Sequence, residues 1–468
     1  MGNKPFKSSN FHRRKRQQGI RRAFQPQSGG TYGPGAENAD VNDVILALWT
    51  DTYRGQNFAG KIIAETFTRL PDLSEKQRRQ VVSTLYGMLG HARRLDHALS
   101  GQIEQLSSAK PRALAQLLAY RLLKGLISPE QARKTMSRIC WAEVRAADAA
   151  VAGESDPVKK LGLTASLPDF LAQSLWEQYG AESELLAQAL HRRPPLTVRA
   201  NLLKTTREEL LNDLSSPHGE AFPTPFSTTG ITLSAYLNIF ELDLFKAGKI
   251  ELQDEASQFI AELTAPPPDG LVVDFCAGSG GKTLALGALM KNRGRLIAAD
   301  VNERKLDEFR KRARRAGLSN ARAVLLDEQG PFPETLQAFV GKADRVLVDV
   351  PCSGAGAIRR KPEIRLRLTP EDPIRLSQEQ EMIARRAMPL CAPGGRLIYA
   401  TCSLLAEENE RVVERLLRDD NFYLVPLKEI LGKTRAAQVA DASGMYLRML
   451  PHIHNTDGFF AAVLRRRK

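Results

Sequence analysis

The chain has 468 residues, 43% of them hydrophobic, and a formal net charge of +14. That length accommodates two or three domains with ordinary cores. No run of about 18 apolar residues occurs, so no membrane span is expected, and the basic N-terminus lacks the apolar stretch of a secretory signal.

Residues 1–40 form the first segment. Eight Lys and Arg side chains lie within residues 1–35 with no acid among them, and Arg465 to Lys468 add four more at the other end. The ends therefore carry most of the excess charge, and the middle is nearly balanced. The N-terminal stretch, rich in Gln, Ser and Gly, reads as a disordered tail. Its charge suits a polyanion, most simply nucleic acid, through salt-dependent contacts. It equally suits a solvated tail with no partner.

From Val41 to about Ala152 the apolar spacing is helical, with five or six helices expected, among them one that starts after an N-cap at Ser74 and another over Leu95 to Leu106. Leu167 to His191 carries two further helices. The period then changes: Pro195 to Asn201 alternates like a strand, Arg207 to Leu214 is helical, and Gly230 to Leu233 and Lys249 to Leu252 are short strands. From Asp269 onward strands and helices alternate, with strands at Leu271 to Phe275, Arg295 to Asp300, Ala321 to Leu326, Val346 to Asp349, Arg396 to Ala400 and Phe459 to Leu464. Alternating βα units with glycines at the first turn predict a doubly wound α/β sheet of the Rossmann-like kind. The expected division is a tail over 1–40, a helical domain over 41–165, a helical linker with a small α+β segment over 166–265, and an α/β domain over 266–468.

The first βα turn is Asp274-Phe-Cys-Ala-Gly-Ser-Gly-Gly-Lys-Thr283. Cys276, Ala277, Gly278, Ser279, Gly280, Gly281 and Lys282 form a cradle in which glycine lets backbone approach a ligand. It is not a P-loop, because Cys276 stands where the first glycine is required, and it is an incomplete dinucleotide fingerprint, because Thr283 takes the last glycine slot. The second strand ends in Asp300, suited to ribose hydroxyls. Asp327 follows the third, suited to an exocyclic amine. Asp349 ends the fourth. Acids at successive strand ends suit a ligand with a ribose, an adenine and a positive sulfonium, as in S-adenosylmethionine.

Two thiols follow predicted strands of the same sheet: Cys352 in Pro351-Cys352-Ser353-Gly354, and Cys402 in Ala400-Thr401-Cys402-Ser403. Adjacent strand ends bring them into one crevice. Cys276 is read as a backbone contact in the cradle, and Cys391 and Cys140 as core residues. Five cysteines, few and odd in number and without metal-site spacing, fit a reducing cytoplasm. His452 and His454 lack a third ligand, so no metal is expected. Arg359, Arg360, Lys361, Arg365 and Arg367, just after Cys352, are read as phosphate contacts.

Together these stretches resemble the Sun family of RNA cytosine-5 methyltransferases, also called RsmB-like or NSUN-like. The resemblance runs from about Val41. It includes Arg199 with Asn201, Gln253-Asp254 through Gln258, the cradle, Asp349-Val-Pro-Cys-Ser-Gly354, Arg359-Arg-Lys-Pro362, Tyr399-Ala-Thr-Cys-Ser403 with Glu407-Glu-Asn409, and Asp457-Gly-Phe-Phe460. Leu73-Ser, Tyr86-Gly and Leu95-Asp96 make the helical part similar to the NusB-like domain of bacterial ribosomal RNA members. The chain departs from the family at Ser279, where Pro is usual, and at Val350, where Ala is common. The resemblance implies an S-adenosylmethionine-dependent enzyme that makes 5-methylcytosine in RNA, with 16S ribosomal RNA as the expected partner and a monomer as the expected state. It makes Cys402 the nucleophile, gives Cys352 a part in release, and sets Asp349 against the cofactor and the base. Three alternatives remain: the same chemistry on transfer RNA, a non-catalytic RNA-binding assembly factor, and the exchanged thiol roles of DNA cytosine-5 enzymes, whose nucleophile follows proline.

Overall fold

The computed structural model describes residues 40–468 apart from residues 56, 216–218 and 235–236. The expected basic tail lies outside the described residues. No described helix is long and apolar enough to cross a membrane.

Among the described residues, the helical part holds seven α-helices up to Ala150: Val41–Arg54, Ala59–Arg69, Glu75–Gly90, Ala92–Ala98, Ala109–Leu123, Pro129–Thr135 and Trp141–Ala150. Ser74 caps the third as expected, with Gln77 closing a reciprocal capping box. The helix expected over Leu95 to Leu106 instead stops at Ala98, and Gly101 takes a φ of 77° in the turn beyond it. Trp49, Leu85, Met88 and Leu95 meet in the core of this part. A polar line crosses it: Trp49 Nε1 donates to Gln116, and Gln116 donates to Asp96, at 2.8 and 2.7 Å. The cysteine expected in a core here, Cys140, is exposed. It precedes the helix whose first residue, Trp141, takes the buried place.

Helices Pro157–Thr164, Asp169–Tyr179 and Glu182–His191 follow. Their apolar faces pack on Ala355, Ile358, Leu404 and Leu405, residues just beyond the two cysteines. A small antiparallel sheet comes next, formed by β1 (Leu196–Ala200), β2 (Ala221–Pro223), β3 (Gly230–Leu233) and β4 (Ile250–Leu252) in the order β2-β3-β1-β4.

The main sheet contains β5 (Leu271–Asp274), β6 (Arg295–Asp300), β7 (Ala321–Leu325), β8 (Ala343–Asp349), β9 (Cys391–Thr401), β10 (Phe422–Leu424), β11 (Tyr446–Met449) and β12 (Phe459–Arg466). Its order is β10-β12-β9-β8-β5-β6-β7, with β11 paired to β12 off that path. Strands β5 to β9 are mutually parallel, and β12 runs antiparallel to β9. The chain steps outward from β5 to β7 and then returns to lay β8 on the other side of β5. This reversal opens a crevice at the carboxyl ends of β5 and β8, where ligands bind in open α/β sheets.

The arginines after Cys352 do not face outward as phosphate contacts. Arg359 donates to Asp457 at 2.9 Å, and Arg360 donates to Asp457 and Asp254, each at 2.7 Å. Arg365 is buried and donates to the carbonyl of Leu190 at 2.9 Å. Arg367 donates to the carbonyl of Asn57. Of the five, only Lys361 is exposed. The physical reason is partner supply: carboxylates and helix-end carbonyls from distant segments converge on this loop and satisfy the guanidinium donors. These side chains tie the helical part and the small sheet to the loop that carries Cys352.

Candidate active site

The cradle owes its shape to two left-handed glycines. Gly278 and Gly280 have φ values of 54° and 83°. A Cβ on Gly280 would lie 2.1 Å from the ring of Phe309, so only glycine lets the helix Gly281–Leu289 pack this closely. A Cβ on Gly278 would meet nothing within 4 Å, which leaves that side of the loop open. Asp300, the last residue of β6, accepts from the backbone N–H of Gly278 and of Asn302, both at 2.8 Å. It therefore braces the cradle as well as facing it. Arg312 donates to the carbonyl of Ser279 at 2.8 Å and to Glu251 of β4 at 2.9 Å, which anchors the loop to the small sheet.

Beneath the cradle Asp274 is buried, and burial pushes its carboxyl up to about 7. Its Oδ2 accepts from Thr283 at 2.7 Å, while Oδ1 is buried with no protein partner among the described residues. A buried acceptor left unpaired in this way is costly unless a ligand or water supplies a donor. Cys276 is half-buried, and desolvation holds its thiol well above the usual range.

Asp349 ends β8 and accepts from Lys282 Nζ at 2.6 Å. Burial disfavours the charge on Lys282. The carboxylate of Asp349, with the sulfur of Cys402 and Asp274 beyond it, more than offsets burial and holds the ammonium above its ordinary value. The ammonium also lies over the ring of Phe459, 5.2 Å from its centroid.

The two thiols meet as their strands predict. β8 and β9 pair in register up to Asp349 opposite Ala400, so both cysteine turns leave the sheet side by side. Cys352 Sγ and Cys402 Sγ are 3.2 Å apart. The hydrogen bond to Cys402, together with burial, raises the Cys352 thiol well above its usual range. Either sulfur can donate in this contact. The turns are also joined through the backbone, since the N–H of Gly356 donates to the carbonyl of Cys402 at 3.0 Å.

The structure thus gathers the cradle from Cys276 to Lys282 with Asp300, Asp349, Cys352 and Cys402. Asp327 is the outlier. It lies two residues past β7, exposed, and its Oδ1 accepts from the backbone N–H of Gln329 and Gly330 at 3.0 and 2.9 Å. Those donors hold its carboxyl below the usual range. Sequence reasoning gave no role to Glu408, which is buried under both cysteine turns. The signal was the serine after each cysteine, two hydroxyls in need of a shared acceptor. Among the described residues no group of three or more His, Cys, Asp or Glu side chains is arranged for a metal ion.

Comparison with known proteins places this site in a family. Residues 261–465 match the family described as 16S rRNA methyltransferase RsmB/F, and residues 167–239 match the ferredoxin-like domain of RsmF/B-like methyltransferases. A probable ribosomal RNA small subunit methyltransferase B of Bacillus subtilis is 28% identical, covering 92% of this chain and 100% of its own length. The protein so described from Synechocystis is 33% identical over 65% of this chain and 68% of its own length. A human 28S rRNA (cytosine(4447)-C(5))-methyltransferase is 32% identical over 66% of this chain and 39% of its own. Among solved structures, that of PH0851 superposes with a TM-score of 0.74 at 25% identity, covering 92% of this chain and 99% of the other. That of NSun6 from Pyrococcus horikoshii with SFG shares the fold, with a TM-score of 0.56 at 21% identity over 64% of this chain and 98% of the other. The two family matches run in chain order across most of the small sheet and all of the main one, and the chain belongs to the RsmB/F family of ribosomal RNA methyltransferases.

Proposed function

We propose that this S-adenosylmethionine-dependent RNA cytosine-5 methyltransferase acts on 16S ribosomal RNA through a covalent bond between Cys402 and carbon 6 of the target cytosine. The observation that carries the reading is the pair of thiols 3.2 Å apart at neighbouring strand ends, beside the Lys282–Asp349 ion pair.

The crevice fits the cofactor. Gly278 leaves backbone open, Asp274 Oδ1 suits an ammonium, and Asp300 suits ribose hydroxyls, while Asp327, exposed beyond β7, is assigned the adenine amine as the outermost contact. When bound, S-adenosylmethionine supplies an electrophilic methyl group. The chain's own residues supply the rest. Carbon 5 of cytosine is a poor nucleophile until a thiolate adds at carbon 6 and makes it enamine-like. Lys282 favours a negative sulfur at Cys402, and Cys352 donates its proton toward that sulfur. Asp349 hydrogen-bonds the base near its ring nitrogen. Once carbon 5 is methylated, Cys352 releases its thiol proton to solvent, its thiolate takes the proton on carbon 5, the C5–C6 double bond re-forms and Cys402 leaves as the thiolate, so one proton is released for each methyl transferred. The same proposal assigns residues 41–165 to RNA binding as a NusB-like unit, residues 166–265 to the linking segment, and residues 266–468 to catalysis.

The test is methyl transfer to purified 16S ribosomal RNA followed by bisulfite mapping, with transfer RNA as a parallel substrate. A single methylated cytosine in 16S RNA is expected. Methylation confined to transfer RNA, or none on either RNA, would overturn the assignment. Asp300→Ala is expected to weaken S-adenosylmethionine binding by about 1–3 kcal/mol, the range for a charged hydrogen-bond partner. Calorimetry with unchanged affinity would remove Asp300 from the site.

A further inference from the structure

Glu408 has no exposed surface, and four donors converge on its carboxylate. Oε1 accepts from the N–H of Ser353 at 2.8 Å and from Gln380 Nε2 at 2.9 Å. Oε2 accepts from the hydroxyl of Ser353 at 2.5 Å and from that of Ser403. Ser353 follows Cys352 directly, and Ser403 follows Cys402. Gln380 in turn donates to the carbonyl of Pro351 at 3.0 Å, on the other side of Cys352. An ionised carboxylate is the side chain with acceptors alone, so it matches four donors without conflict.

We propose that Glu408 is the positioning residue of the thiol pair, holding the two cysteine turns at one separation and setting a buried negative charge against the Cys352 turn. The proposal rests on the reaction assigned above to this pair. Three of the four donors belong to groups that hold the Cys352 turn. Glu408 is also among the charges that raise the Cys352 thiol, after the bond to Cys402 and burial. The titratable groups facing Cys352 are Cys402 at the end of β9, Tyr399 within β9, and Glu408 itself, with the Lys282–Asp349 pair on the cofactor side. Among these, Glu408 is the charge fixed by hydrogen bonds to the turn, and it makes two chemically identical side chains unequal by gripping the Cys352 turn with most of its donors and raising the Cys352 thiol.

The test separates charge from clamp. In Glu408→Gln the amide oxygen can keep the two N–H donors, and its NH2 can face the two hydroxyls, which rotate to accept. The shape survives and the charge is lost. Alkylation by iodoacetamide, read by mass spectrometry across a pH series, is measured in Cys402→Ser and Cys352→Ser proteins with and without Glu408→Gln. The midpoint for Cys352 is expected to fall by about one pH unit, roughly tenfold in rate at a pH below it, while that for Cys402 moves by less than half as much. An unmoved Cys352 midpoint, or equal movement of both thiols, overturns the role of the charge. In a second variant, Ser353→Ala with Ser403→Ala, the charge remains and the hydroxyl clamp is gone. Binding of phenylarsine oxide, which needs two adjacent thiols, is expected to weaken about tenfold, and unchanged binding overturns the clamp. Neither measurement uses RNA, so both stand apart from the choice of Cys402 as nucleophile, which is decided by trapping of RNA conjugates.

Discussion

Cys402→Ala is expected to abolish both methyl transfer and covalent RNA binding, whereas Cys352→Ala is expected to accumulate a protein–RNA conjugate that survives denaturing gels. The asymmetry follows from the order of steps. In the proposed order addition at carbon 6 comes first and requires the Cys402 thiolate, so without it nothing downstream is expected, and a loss of on the order of 10⁴-fold or more is expected for removal of a nucleophile. The bond to Cys402 and burial both hold the Cys352 thiol above its usual range. Its removal leaves addition and transfer possible and strands the enzyme at elimination. The double variant should yield neither conjugate nor product. A conjugate trapped by Cys402→Ala and absent from Cys352→Ala would mean that the two roles are exchanged.

Arg359→Ala is the second large effect, expected to cost about 3–5 kcal/mol of stability, as when one partner of a buried ion pair is deleted. The side chains of Arg359, Asp457 and Asp254 are 1%, 5% and 7% exposed. Burial and the neighbouring Asp254 already raise the carboxyl of Asp457, with Arg360 and Arg359 opposing them. Without Arg359, two buried carboxylates face the single guanidinium of Arg360. Arg359→Lys should restore only part of the loss, because the fork also donates to the carbonyl of Asn455 at 2.9 Å. Lys361→Ala, at the exposed neighbour, is the control and should shift stability by less than about 0.5 kcal/mol. Denaturant unfolding reads all three. A change for Arg359→Ala as small as the control would mean that the cluster does not hold the structure together.

These arginines also mark where sequence reading stops. A run of five basic residues behind a reactive thiol reads naturally as a nucleic-acid contact, and nothing local says otherwise. The acids that pair with Arg359 and Arg360 are Asp254 and Asp457, each about a hundred positions away. Only the tertiary fold reveals that the four arginines are turned onto partners within the protein. The parallel strands β5 to β9 were legible because buried strands are written as apolar runs that end on acids or turns. The three residues of β10 and the four of β11 were too short to show a period. The helical stretch Lys428–Val439 was hidden by Gly432, whose φ of 75° interrupts it. Within the site, the cradle and both thiols could be named because glycine and cysteine at those spacings do what other residues cannot. Glu408 could not be, because an acid near a helix start looks the same in sequence whether it caps the helix or grips two distant turns.

The place of β12 in the sheet bears on how this protein is made. Residues 459–466 are translated after β5 to β11, yet they lie between β9 and β10 rather than at a margin. Until they arrive, β9, the strand that ends at Cys402, presents an unpaired edge in the nascent chain. The edge beside the Cys402 turn therefore stays open until β12 has been made. The interval before closure is when this chain has most to gain from a chaperone that shields open strand edges.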